Sequence, residues 1–136
     1  ATHFINYTFS LNEEEPYDIK NYEINGMNRS YKLVLNNSHP NLYSIHLNDG
    51  KSSISIEQIR EMIKFANKSS FNNQYKIILI NKSEFLNKSS SNAILKILEE
   101  PSKNTIFLIL QNSRKKNLKT IQSRCIKFHH FSYLLN

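Results

Sequence analysis

Glycine is nearly absent: Gly26 and Gly50 are the only two in 136 residues. A phosphate-cradling loop of the form G-x-x-x-x-G-K-[ST] places two glycines five positions apart, so this sequence contains none. Cys125 is the lone cysteine, which excludes an intramolecular disulfide and a multi-cysteine zinc site. With two Gly and three Pro there is little room for a flexible linker or a collagen-like segment. Apolar runs are also short. The longest, 77–80 and 106–110, fall far below the length that spans a bilayer. No basic-apolar-cleavage pattern marks a signal peptide. No membrane partner is expected, and the cytoplasm is the default location. The first residue is Ala rather than Met, so the native N-terminus need not be here.

What is present is one domain's worth of chain, 1–136, enough to bury roughly 65–70% of its unfolded surface. Eighteen basic and eleven acidic side chains give a net charge of +7. The charge is uneven: residues 1–61 carry five basic and eight acidic groups, residues 62–136 thirteen basic and three acidic. Such an excess can attract phosphates by counterion release. A solvated surface in a Lys-rich chain accounts for it equally. Asn is very frequent beside Ile and Lys, a bias that reads as AT-rich coding and weakens the meaning of any single Asn.

Runs rich in β-branched residues predict strands at 42–47, 75–80 and 105–110. The last two are apolar at consecutive positions, which suits strands covered on both faces. Ile56, Ile59, Ile63 and Ala66 follow helical spacing, and Ser55 with Gln58 has the form of a capping box. A second helix is predicted over 89–99, with Ala93, Leu95, Ile97 and Leu98 inward and Pro101 ending it. Residues 1–11 read as an amphipathic helix. Residues 31–35 fit a strand or a helix end, and a helical turn at 118–122 leads into a final strand at 125–128. Alternating strand and helix imply an α/β fold: a parallel sheet with helices on both faces and right-handed crossovers.

The motifs carry the reading further. Ser38-His39-Pro40-Asn41-Leu42, then Ile54-Ser55-Ile56-Glu57-Gln58-Ile59-Arg60, resembles the "HPDL … IxIEQIR" passage of bacterial DNA polymerase clamp-loader subunits, members of the AAA+ class. Residues 75–82 fall where that family carries its Walker B strand, and Asn92 to Pro101 is similar to its "NALLKxLEEPP" helix. Residues 107–112 match the sensor 1 strand, and Ser123-Arg124-Cys125 matches the SRC motif. The resemblance covers roughly residues 36–131, and its motifs are specific in combination. It implies a three-layer AAA+ core with a parallel sheet, truncated and without the phosphate-loop strand. Residues 1–9 look like the helix after that loop, and the lid and collar domains would follow Asn136.

Within the family, Asn81-Lys82 stands where a motor subunit has Asp-Glu. Asn lacks the charge that holds Mg²⁺ and Lys repels the metal, so no intrinsic ATPase and no cofactor are expected. The resemblance is therefore to the subunit type that does not turn over ATP. It implies delta and gamma/tau subunits as partners, with the sliding clamp and primed DNA reached through the complex. Arg124 would be an arginine finger offered in trans to the neighbour's ATP, since guanidinium is permanently charged and grips phosphate with two parallel bonds. A surface Arg capping the preceding turn is the plainer alternative. Ser123 would brace that turn and Cys125 pack at the start of the last strand. Asn112, at the sensor 1 position, would be vestigial. Glu99 and Glu100, being adjacent on a helix, do not share a face; one is expected to pair with a Lys and the other to be solvated. His129 and His130 point to opposite faces and make a poor metal site. Arg114, Lys115, Lys116 and Lys119 lie where DNA could thread a loader, although a solvated loop suffices. Two other functions stay open: a gamma/tau-type ATPase fragment, and a basic nucleic-acid-binding module.

Overall fold

The computed structural model describes residues 1–112, 114–115 and 119–128. Three strands, β1 (Leu42–Ile45), β2 (Lys76–Ile80) and β3 (Thr105–Ile109), pair in parallel in the order β1-β2-β3. Ile78 of β2 sits between Tyr43 of β1 and Phe107 of β3, which fixes the register. The helices are α1 (Thr2–Ser10), α2 (Arg29–Leu35), α3 (Ile56–Asn67), α4 (Lys88–Glu99) and the short α5 (Lys119–Gln122).

Strand alternation divides the core in two. Ile78 and Ile80 of β2 and Phe107 and Ile109 of β3 pack with Ile59 and Met62 of α3, Ile94 and Ile97 of α4, and Ile121 of α5. On the other face Ile77, Leu79, Ile106 and Leu108 meet Ile5 and Phe9 of α1 and Val34 of α2. Successive side chains on a strand point to opposite faces, so a run of apolar residues serves both layers. Helices thus cover both faces of the sheet, and the fold is α/β.

The predicted capping box is formed. Ser55 Oγ accepts from the Gln58 N–H at 3.3 Å and Gln58 Oε1 accepts from the Ser55 N–H at 3.1 Å. Asn87 caps α4 by a single bond, its Oδ1 accepting from the Ser90 N–H at 2.8 Å. Residues 31–35 belong to α2, not to a strand. On α4 the inward positions are Ser90, Ser91, Ile94 and Ile97, so Ile94 takes the place that periodicity assigned to Leu95, which is half-buried. The small buried serines let the first turn of α4 lie close to its neighbours, and Ser90 Oγ donates to the Ile54 carbonyl at 2.8 Å.

No strand forms over 126–128. Ile126 and Phe128 are 86% and 89% exposed. A strand requires a ladder partner for its N–H and C=O groups, and none of the described strands lies alongside this segment. Scarce glycine has a structural counterpart. Of the six non-glycine residues with positive φ among the described residues, four are asparagines, Asn37, Asn72, Asn73 and Asn104. Asn tolerates the left-handed region better than other chiral residues, so these asparagines stand at turns where glycine is the usual choice.

Candidate functional site

Two clusters of motif residues are assembled, at opposite ends of the sheet. At the end where β2 and β3 finish, Asn81, Lys82, Glu84, Leu110, Gln111 and Asn112 line a cleft of about 310 Å³. In open α/β sheets the crevice beyond the strand C-termini is the usual place for a ligand. The cleft's chemistry, however, is sparse. Asn81 continues the β2 ladder by donating its N–H to the Ile45 carbonyl at 3.0 Å. Lys82 turns the chain with φ 56° and ψ 54°. Glu84 accepts from the Asn112 N–H at 3.3 Å, and Asn112 Oδ1 accepts from the Arg114 N–H at 3.0 Å. One carboxylate beside one ammonium is a poor donor set for Mg²⁺, which favours several hard oxygen ligands. Among the described residues no group of three His, Cys, Asp or Glu is placed to hold a metal ion.

The second cluster lies at the other end. Helix α4 starts beyond the C-terminal end of β2 and runs back to Glu99, just before β3 begins. Arg124 follows α5, which packs on α4. Its Nε donates to Glu99 Oε1 at 2.7 Å, its Nη2 donates to the same oxygen, and its Nη1 donates to the Thr120 carbonyl at 2.7 Å. Ser123 Oγ donates to the Thr120 carbonyl at 3.0 Å, bracing the turn, and lies 3.5 Å from Arg124 Nη1. The guanidinium side chain is 29% exposed and the Glu99 side chain 51%. One of Glu99 and Glu100 was expected to pair with a Lys, and Glu99 is the paired one. It pairs instead with Arg124, twenty-five residues on, a contact that helical spacing cannot anticipate. Glu100 is exposed at the end of α4 and Pro101 follows it, also exposed.

Cys125 is half-buried against the α3/α4 core, though not in a strand. Burial raises its thiol pKa, with Lys127 pulling the other way, so the reactive thiolate is disfavoured. Of the basic residues in the loop before α5, Lys115 sits over the Phe85 ring at 4.3 Å. Lys116, His129 and His130 lie outside the described residues.

One residue that sequence reading passed over is Lys76, the first of β2, at the same end as Arg124. It is 2% exposed. Its Nζ donates to the carbonyls of Phe65, Ala66 and Lys68, closing the C-terminal end of α3. A cation there answers both the unpaired carbonyls and the negative pole of the helix. Burial lowers its pKa. The only sequence sign was a Lys opening an otherwise apolar strand.

These features define an α/β chain with a parallel sheet covered by helices on both faces. More narrowly, it belongs to the family described as DNA polymerase III, delta subunit, whose model matches residues 4–132. It is similar to the DNA polymerase III subunit delta' of Haemophilus influenzae, with 34% identity over 100 residues covering 74% of this chain and 30% of the relative. The subunit delta' of Pseudomonas aeruginosa is 28% identical over 99 residues, covering 73% and 30%. The subunit gamma of Buchnera aphidicola (subsp. Schizaphis graminum) is 35% identical over 80 residues, covering 59% and 22%. The chain thus spans about 30% of the length of the delta' relatives it matches and is delta prime-like. A DNA polymerase III gamma subunit-related protein from Thermotoga maritima shares the fold, with a TM-score of 0.62 at 24% identity over 70% of this chain and 31% of that one. No described helix is long and apolar enough to cross a membrane.

Proposed function

We propose that this chain is part of a non-catalytic, delta prime-type subunit of the DNA polymerase III clamp loader. In this reading residues 1–136 are a partial AAA+ core, and Arg124 reaches in trans toward the ATP held by a neighbouring gamma/tau subunit. Delta and gamma/tau are its direct partners, the sliding clamp and primed DNA are reached through the assembly, and the setting is the cytoplasm.

The observation that carries the reading is the separation of the two clusters. The cleft at the strand C-termini offers Asn81 and Lys82 where hydrolysis needs acids to hold metal and orient water. The permanent cation lies at the opposite end, part-exposed and held by its own chain. An arginine so placed cannot serve a nucleotide in the cleft, whereas it can serve one on a neighbour. The gamma/tau-type alternative is disfavoured by the same cleft.

The test is a loader assembled from the complete subunit and its delta and gamma/tau partners, with clamp and primed DNA. Arg124→Ala is expected to lower the stimulated ATPase by about 10³-fold or more while the complex remains assembled on gel filtration. An unchanged rate in an intact complex would reduce Arg124 to a cap on α5.

A further inference from the structure

We infer that Glu99 is the positioning residue for Arg124: it holds the guanidinium plane so that the outer N–H groups stay available to a phosphate. This rests on the function proposed above and adds a residue to it. Guanidinium has five N–H donors in a rigid planar fork. Three are firmly engaged within the chain, those of Nε and of one hydrogen on Nη2 to Glu99 Oε1, and one hydrogen on Nη1 to the Thr120 carbonyl. Among the described residues the second N–H of Nη2 meets no acceptor, and that of Nη1 makes only a long hydrogen bond to Ser123 Oγ, 3.5 Å, which a phosphate oxygen can displace. Two N–H groups on adjacent nitrogens are what a bidentate grip on phosphate oxygens uses.

The supports for the plane come from two elements. Glu99 ends α4, a twelve-residue helix anchored by buried Ile94 and Ile97. Thr120 lies in α5, which buries Ile121 in the same core. An Arg side chain left alone samples many rotamers, and fixing it on binding costs entropy. Here that ordering is already made in the free chain. The carboxylate also removes part of the net charge a phosphate would meet, so Glu99 contributes through geometry and not through field.

Gln at position 99 keeps an acceptor oxygen and drops the charge; Ala removes both. In the reconstituted loader, Glu99→Ala is expected to lower kcat for ATP by about tenfold, the scale of a reacting group displaced by a fraction of an ångström. KM for ATP should hold, since the nucleotide is bound by the neighbour. Glu99→Gln should restore kcat to within about twofold of the unmodified loader, because its amide oxygen can still accept from Nε and Nη2. Thermal melting of both variants separates loss of fold from loss of position.

The outcomes divide cleanly. If Arg124→Ala slows hydrolysis and Glu99→Ala does not, the positioning role is wrong and the finger stands. A Glu99→Ala loader faster than the unmodified one would show that the carboxylate restrains the arginine, which also overturns the inference. A Gln variant as slow as the Ala variant would do so too, by showing that charge and not geometry matters. If Arg124→Ala itself is silent, the proposed function fails first.

Discussion

The two ends of the sheet differ in electrostatic character more than in shape. At the strand C-termini the first turns of α3 and α4 present the positive poles of their helices, capped by Ser55 and Asn87, and Lys82 adds a further positive charge. At the strand N-termini the last turns of α3 and α4 gather, and cations answer them. Lys76 binds the carbonyls of α3, and Arg124 binds the carboxylate that ends α4. One end therefore has a cleft with little chemistry in it. The other has ordered cations, of which one is buried and one remains part-exposed. The lesson is that this fold stands with few charged groups in its ligand crevice, while the opposite end holds its cations through the ends of its own helices.

The largest effect expected from breaking this contrast is that of Arg124→Ala on the assembled loader's ATPase, followed by that of Glu99→Ala. Both read function and neither should change stability much, since an exposed ion pair contributes about 0–1 kcal/mol.

Lys76 is the reverse case. Lys76→Met should destabilise the chain by about 2–3 kcal/mol, because the carbonyls that end α3 lose a charged donor. Chemical denaturation of the variant measures this. A loss below about half a kilocalorie would mean that the ammonium merely tolerates its site.

The same end carries His39, stacked on Phe9 with ring centroids 3.8 Å apart and planes 10° apart. Its Nδ1 accepts from the Asn41 N–H at 3.2 Å. Burial lowers the His39 pKa, with Glu13 acting weakly in the opposite sense. The folded pKa thus lies below the unfolded value of about 6.5, so the unfolded chain binds more protons in that range. The contribution is whole above about pH 6.5 and is lost as pH falls through the folded pKa. Protonation of Nδ1 also ends its role as an acceptor. Denaturation midpoints should therefore drop between about pH 7 and pH 5 by more in the parent than in His39→Gln. Parallel curves for the two proteins would show that His39 titrates as it does in solvent.

The smallest effect is expected in the cleft. Lys82→Gly relieves a left-handed conformation that costs a chiral residue about 1 kcal/mol, so stability should be equal or slightly higher. Loader ATPase should stay within about twofold, a value far below what removal of a phosphate-contacting cation produces. A large fall in rate would mean that Lys82 contacts nucleotide and would erase the distinction between the ends.

Much of this architecture was legible in local pattern. Consecutive apolar residues at 77–80 and 106–109 marked strands with both faces covered. Ser55 and Gln58 marked the start of α3. Both signals act within a few residues and need no partner elsewhere. Strand prediction also had Asn81 just after β2, where it lies.

What the sequence determined by itself was the succession of strands and main helices and the absence from these residues of a loop of the form G-x-x-x-x-G-K-[ST]. Tertiary structure alone decided the pairings across long stretches of chain. Glu99 meets Arg124 because α5 packs on α4, and Lys76 reaches the end of α3 because β2 starts beside it. It also left 126–128 without a strand, since a strand exists only where another offers it hydrogen bonds. Local propensity fixes a residue's element, but a charged side chain takes its partner from whatever the packed fold brings within reach.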